Sequence, residues 1–315
     1  MPMPSISITE KIELALSKKG NPIHGRDNDT MKYASITKWK RSVGMMDKDN
    51  DASTKSKKAT KKWYEMSLKH WDDEERCPAT VDGVLEGYAW MSNCDLEGSM
   101  QFVKHIKSNI RPELKLTSDE KGEVPTRACD VGAGIGRVSK GLLLPLGISQ
   151  CDLIEPSPRL ISSAPDYLGA SASQCRFFCT GLQDFQPCAD SYDIIWMQWV
   201  VMYLTDDDLV EVFKRCVTAL RKGGVVVIKD NTCLKEAFVV EPEDSSTIRS
   251  LPYIIAIAEL AGLRVIHQQL QEGFPVDLFP NPMIALAPAD TVRGVENCKR
   301  QALKHTYAEV AATQR

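Results

Sequence analysis

The chain has 315 residues, 43% of them hydrophobic and 26% charged, enough to bury one sizeable core with extensions. That composition excludes a collagenous, disulfide-stapled or wholly disordered protein. The net charge of -3 conceals an asymmetry, because residues 1–62 carry 14 Lys or Arg against 7 Asp or Glu and leave the remainder at -10. A basic leader on an acidic body suits a cationic ligand, unless the acids are only a solvated surface. No apolar run approaches the roughly 18–20 residues of a membrane span, and no signal-peptide core opens the chain. Met1-Pro2-Met3-Pro4 followed by Glu10 and Glu13 also makes a poor transit peptide. The ten cysteines include no Cys-x-x-Cys pair, and no histidine sits at metal-ligand spacing from one. Reduced, mostly buried thiols of an intracellular protein are therefore expected, and no metal site.

In chain order, residues 5–19 place Ile6, Ile8, Ile12, Leu14 and Leu16 at spacings that suit a short amphipathic helix. From Asp47 to Lys62 the chain is Asp, Asn, Ser, Thr and Lys with almost nothing apolar, which predicts a flexible linker. Its Lys55–Lys62 run resembles a nuclear-import cluster, though such runs are usually just solvated. Order is expected to begin at Trp63, where Trp63, Tyr64, Leu68 and Trp71 recur at helical spacing. A turn-rich stretch from Pro78 to Trp90 follows, then a second helix from about Leu96 to Ile110. From Arg127 onward strands are predicted near 127–132, 150–155, 175–180, 192–198, 224–230, 264–270 and 282–287. Helices are predicted near 135–146, 157–168, 205–221 and 246–262. Such alternation predicts an α/β fold with a doubly wound, Rossmann-like, parallel-dominated sheet and an N-terminal helical extension. The expected division is a leader and linker over 1–62, a body over 63–288 (helical lid 63–126, core 127–288) and a polar tail over 289–315.

The stretch Ala128-Cys-Asp-Val-Gly-Ala-Gly-Ile-Gly-Arg137 carries the most chemical information. A buried strand ending in Asp130-Val131 runs into glycines at alternate positions, Gly132, Gly134 and Gly136, and then into an apolar-periodic helix. Glycine belongs where the backbone must turn tightly and admit a nucleotide-like ligand without a Cβ in the way. A dinucleotide fingerprint would put its third glycine at position 137, which is Arg137. Acid-x-Gly-x-Gly-x-Gly instead matches the class I methyltransferases, which bind S-adenosylmethionine (AdoMet).

In an open α/β sheet the ligand lies outside the carboxyl ends of the strands. The second strand ends at Glu155, where an acid accepts hydrogen bonds from ribose hydroxyls or, alternatively, caps the next helix. After the third strand Leu182 and Gln183 stand where an adenine would be sandwiched and its amino group read. Gln198 and Trp199 emerge after the fourth. Trp199 offers a quadrupolar face to a cationic amine or sulfonium, or else serves as a core residue. Asp230 and Asn231 land at the ligand edge after the fifth. In Glu241-Pro-Glu-Asp-Ser-Ser246, Asp244 or Ser245 is either a ligand or the N-cap of the predicted helix.

From Trp63 to about Leu286 the chain resembles the protein α-N-terminal methyltransferases, which modify proteins beginning Xaa-Pro-Lys or Xaa-Pro-Arg. The resemblance rests on Thr80-Val-Asp-Gly83, Gly87-Tyr88, Gly132-Ala-Gly-Ile-Gly-Arg137, Leu142-Leu-Leu-Pro-Leu146, Gly181-Leu-Gln-Asp-Phe185 and Ser191-Tyr-Asp. Gln198-Trp-Val200, Val227-Ile-Lys-Asp-Asn231 and Asp244-Ser-Ser246 complete it, and a generic methyltransferase would lack these words. It implies AdoMet contacts at Gly132, Gly134, Arg137, Glu155, Leu182, Gln183 and Gln198. Trp71 would close over the cofactor, and Arg137 would pair with the methionyl carboxylate. Trp199 would pack on the substrate proline, Asn231 would hold the first peptide carbonyl, and Leu85 would line the peptide channel. Glu241 and Asp244, with Ser246 beside them, would face the cationic third residue and the amine. Asp244, Asn231 and Tyr203 form the implied catalytic set. A protonated amine has no lone pair, so with an amine pKa of about 8 a carboxylate such as Asp244 would direct and accept its proton.

Two positions depart from the family pattern. Tyr203 stands where a histidine is common, and Phe279 where a tyrosine hydroxyl would bond the peptide. The resemblance further implies a monomer of nucleus and cytoplasm that acts on protein N-terminal peptides, with no direct nucleic-acid or membrane partner. A methyltransferase for a small amine or a lysine side chain is one alternative, and a non-catalytic AdoMet-binding protein is another.

Overall fold

The computed structural model describes residues 6–28, 31–46, 54–118 and 124–291. The elements begin with α1 (Ile8–Lys18), β1 (Gly25–Asp27), β2 (Lys32–Tyr33), α2 (Ile36–Ser42), α3 (Thr54–Asp72), α4 (Val81–Val84) and α5 (Ser92–His105). They continue with β3 (Arg127–Val131), β4 (Gln150–Glu155), α6 (Pro158–Leu168), β5 (Cys175–Cys179), β6 (Tyr192–Gln198) and α7 (Asp206–Ala219). The last are β7 (Leu220–Lys229), β8 (Phe238–Glu241), β9 (Ser246–Arg249), α8 (Leu251–Leu260), β10 (Leu263–Leu270) and β11 (Pro282–Pro288).

All seven predicted strands join one sheet in the order β10-β11-β7-β6-β3-β4-β5. Strands β5, β4, β3, β6 and β7 are parallel, and β11 runs antiparallel to both its neighbours. Successive side chains alternate between two apolar cores, as strand geometry requires. Val226 and Ile228 enter the cluster that holds α7 and α8, whereas Val225 and Val227 enter the one that holds α5 and α6. Strand order reverses between β3 and β6, which opens a crevice at their carboxyl ends.

A second sheet, β2-β1-β8-β9, was not foreseen. Its β1 comes from the leader and pairs in parallel with β8, and a Cβ on Gly25 would lie 2.5 Å from the Phe238 ring. Residues 246–249, expected to open a helix, are strand β9 instead, and the helix starts at Leu251 with Ser250 as its N-cap. Neither Asp244 nor Ser245 therefore caps a helix. Likewise Leu220-Arg-Lys222 starts β7 and does not end α7. The helical segment after the glycine loop passes into a π-helical turn at Ser139–Leu143, and the one after α5 does so at Ile106–Ile110.

The leader is packed against the body. Ile12 and Leu16 of α1, with Ile36 and Trp39 of α2, are buried in the core cluster that includes α7 and α8. Trp39 lies 5.1 Å from Phe238 and 6.1 Å from Trp63, ring centre to ring centre. Order does not begin at Trp63. Helix α3 starts at Thr54, inside the expected linker, because its apolar side finds partners: Trp63 Nε1 donates to the Tyr203 carbonyl at 2.9 Å, and the Tyr64 hydroxyl meets Asp208 at 2.5 Å. Residues 47–53 and those after Thr291 lie outside the described residues. Among the described residues no helix is long and apolar enough to cross a membrane. The nine described cysteines are all free thiols, five of them buried.

Candidate active site

At the carboxyl ends of β3, β4, β5 and β6 lies a cavity of about 1020 Å³. Eleven of the predicted site residues line it: Trp71, Leu85, Gly132, Gly134, Arg137, Glu155, Leu182, Gln183, Gln198, Trp199 and Tyr203. Asn231, Glu241, Asp244 and Ser246 are not on its wall, and Asp244 reaches it through Tyr203.

The glycine loop is held by main-chain bonds. The amides of Gly132 and Ala133 both donate to the Ile154 carbonyl, at 2.9 and 3.1 Å. Gly132 has φ +69°, and a Cβ there would come within 2.8 Å of Val200, so both backbone shape and close approach demand glycine. Glu155 ends β4 and accepts from Gly134 N at 3.0 Å and Ser157 N at 2.9 Å. The helix cap itself is Ser157. Burial pushes the Glu155 carboxyl up to about 7 against those two amide bonds. Past β5, Arg215 donates to the carbonyls of Leu182 and Gln183 and so fixes that loop. The C-terminal end of α3 is clamped by Arg159, which donates to the Trp71 carbonyl at 3.0 Å. Trp71 is thereby set edge-on to Tyr203, 5.9 Å away.

A buried charge cluster lies behind Arg137 and Gln198 of the cavity wall. Asp95 of α5 is 2.9 Å from Arg137 Nη1 and 2.5 Å from Lys229 Nζ, and it accepts from Gln198 Nε2 at 2.8 and 2.9 Å. Burial alone would raise the Asp95 carboxyl, but Lys229 and Arg137 outweigh it and hold the group below its usual range. Lys229 also donates to Asp95 O, Ser99 Oγ and Gln271 Oε1. Asp95 and Lys229 escaped sequence reasoning, since an acid in a first helical turn ordinarily signals only a helix N-terminus.

Trp199 follows β6 with φ +51°, a left-handed conformation rare for a bulky residue, and its ring lies 5.5 Å from the Arg137 guanidinium. Asp230, expected at the ligand edge, is buried and holds the following turn, accepting from Val201 N at 3.0 Å and Met202 N at 3.3 Å. That turn presents Tyr203, whose hydroxyl donates to Asp244 Oδ2 at 3.3 Å. Asp244 Oδ1 accepts from Ser246 N at 3.0 Å within the β8–β9 turn, where Ser245 has φ +57°. Burial raises the Asp244 carboxyl, opposed first by Ser246. Burial also raises Glu241, as do Asp244, Glu86 and Glu243 in turn, so these four acids share one locality. Asn231 accepts from Asn281 Nδ2 at 3.0 Å. Phe279 packs its ring against Cys233, Val239 and Ile248.

The residues present fit AdoMet. Two cations, Arg137 and Lys229, stand against one carboxylate, which leaves positive charge for an α-carboxylate. Glu155 supplies an acceptor beside the glycine loop, and Leu182 with Gln183 supplies an apolar wall with a polar rim. Fold and cavity together define a class I AdoMet-dependent methyltransferase. A sequence model of the AdoMet-dependent proline di-methyltransferases matches residues 59–287, and the chain belongs to that family.

N-terminal Xaa-Pro-Lys N-methyltransferase 1 of Danio rerio is 38% identical over 226 residues, 71% of this chain and 95% of that protein. Alpha N-terminal protein methyltransferase 1 of Arabidopsis thaliana is 34% identical over 269 residues, 84% of this chain and 91% of that protein. Among solved structures, a SAM-dependent methyltransferase from Leishmania major shares 32% identity at a TM-score of 0.68, covering 84% of this chain and 96% of that one.

Proposed function

We propose that this enzyme methylates the α-amine of protein N-termini beginning Xaa-Pro-Lys or Xaa-Pro-Arg. The observation that carries the proposal is the Tyr203–Asp244 pair, which links the cavity to a half-buried carboxylate among three further acids. Bound AdoMet supplies an electrophilic sulfonium methyl. The Arg137–Asp95–Lys229 cluster suits its carboxylate, Glu155 its ribose and Leu182 with Gln183 its adenine, while Gln198 braces Asp95 and Trp71 closes the wall. On the peptide side, Trp199 packs on the substrate proline, Asn231 holds the first carbonyl and Leu85 lines the channel. Glu241 faces the cationic third side chain. Asp244, fixed by Ser246 and Tyr203, orients the amine and accepts its proton.

Tyr203 is no base here. Burial and the Asp244 charge push its phenol well above the ordinary value, so at neutral pH it stays protonated and takes up no proton from the amine. The related enzymes' names support a protein substrate. A monomer of nucleus and cytoplasm belongs to the same proposal, supported for import by the exposed Lys55, Lys57, Lys58, Lys61 and Lys62 of α3. A peptide series tests the specificity. Turnover should fall when proline at position two becomes alanine, and fall again when the third residue becomes glutamate. Indifference to both changes would favour a small amine or lysine side chain as acceptor.

A further inference from the structure

Lys40 belongs to the leader, outside the residues 59–287 that match the family, yet it is only 3% exposed. Its ammonium lies 2.8 Å from Asp206 Oδ2 and donates to Thr9 Oγ1 at 2.9 Å and Asp207 Oδ2 at 3.3 Å. Asp206 opens α7 with no exposed surface, and its Oδ2 also accepts from the Tyr253 hydroxyl at 2.7 Å. Its Oδ1 faces Arg249, with Nε at 3.0 Å and Nη2 at 2.9 Å.

Arg249 does more than neutralise this acid. Nη1 donates to the Val201 carbonyl at 3.0 Å and Nη2 to the Leu204 carbonyl at 2.7 Å, bracketing Met202 and Tyr203. Asp206 and the turn thus share one guanidinium, each held by its own N–H groups. With Lys40 on Oδ2, the carboxylate shares its charge between two cations, and Arg249 spans both acid and turn. Thr9 and Lys40 also line the same cavity as the glycine loop.

We infer that Lys40 is a positioning residue for methyl transfer: through Asp206 and Arg249 it holds the Val201–Leu204 turn and so sets Tyr203 against Asp244. The inference rests on Tyr203 and Asp244 forming the amine side of the site, as proposed above. The leader is then part of the catalytic architecture.

Full-length Lys40→Met and Lys40→Arg provide the test, with turnover on an Xaa-Pro-Lys peptide, AdoMet affinity and amide hydrogen exchange as readouts. Lys40→Met should lower kcat by about tenfold with AdoMet affinity held within about twofold, the pattern of a lost transition-state interaction. Exchange of the Met202–Thr205 amides should quicken by about tenfold while the Gly132–Val138 amides stay unchanged, as local loosening requires. Lys40→Arg should recover most of both. If Lys40→Met does not fold, Thr9→Val, which removes one acceptor and leaves the ions in place, should give the same changes at about threefold. A folded Lys40→Met enzyme with wild-type turnover and exchange overturns the inference, and so does an unchanged Thr9→Val. Quickened exchange in a chain whose wild type ignores Xaa-Pro-Lys peptides supports the positioning and rejects the substrate reading instead.

Discussion

The Tyr203 hydroxyl donates to Asp244 Oδ2 at 3.3 Å, from the cavity wall to a carboxylate that is not itself on that wall. The phenol is held protonated by burial and by the Asp244 charge. Its hydrogen bond works against the burial that raises Asp244. The phenol is therefore the donor in this pair, and under the proposed function Asp244 is the destination of the proton that must leave a substrate amine.

Replacing Asp244 with Asn should lower turnover by at least about tenfold, a floor beneath the roughly 10²–10⁴-fold that a general base contributes, with AdoMet affinity unchanged in calorimetry. Tyr203→Phe removes a bond that favours the ionised carboxylate, so the Asp244 pKa rises further. Because only the carboxylate accepts a proton, activity is lost on acidification at a higher pH than in wild type. A plot of kcat/KM against pH checks this, and an acid limb that moves to lower pH contradicts it.

Cofactor binding should depend on pH through Glu155. Burial raises its carboxyl to about 7, and ribose hydroxyls donate to the ionised form. AdoMet should therefore bind more weakly as pH falls from 8 to 6 through that value, and binding near neutrality should release protons. Calorimetry in buffers of different ionisation enthalpy reads the proton count, and proton uptake on binding would oppose this role for Glu155.

Asp95→Asn should strip the buried counter-charge from Arg137 and Lys229 and cost roughly 3–5 kcal/mol, as expected when one partner of a buried ion pair is removed. The Asp95 pKa is lowered, so its stabilisation is present above the ordinary carboxylate range and lost as pH falls through the folded value. Urea midpoints of variant and wild type should thus differ most near neutrality and converge on acidification.

The left-handed backbone at Trp199 costs about 1–3 kcal/mol for a residue other than glycine. Trp199→Ala should weaken peptide binding while leaving AdoMet affinity intact. Trp199→Gly should lose the same peptide affinity yet melt at a higher temperature than the alanine variant. Equal melting temperatures would mean that φ +51° stores no strain.

The central strands of the main sheet were legible because parallel strands buried on both faces read as short continuous apolar runs, as in β6. The glycine loop, Glu155 and the Leu182-Gln183 corner were legible because topology puts ligands at strand ends. Other features depend on distant partners that no local pattern announces. The β8–β9 hairpin turns through Glu-Pro-Glu-Asp-Ser, which imitates a helix start, and β8 is registered by a leader strand far away in sequence. Polar residues 54–62 become helix because Trp63 and Tyr64 anchor the next turns to the Tyr203–Asp208 segment. Asp95 and Lys40 carry buried charges whose partners lie on other elements, so each resembles an ordinary surface ion in the sequence.

The most direct measurement incubates the full-length enzyme with AdoMet and a short Xaa-Pro-Lys peptide, beside an N-acetylated copy, and reads mass in methylene-sized steps. α-Amine chemistry at Asp244 predicts that the free peptide gains one or more steps and the acetylated copy none. Methylation of both peptides would move the acceptor to the lysine side chain and contradict it.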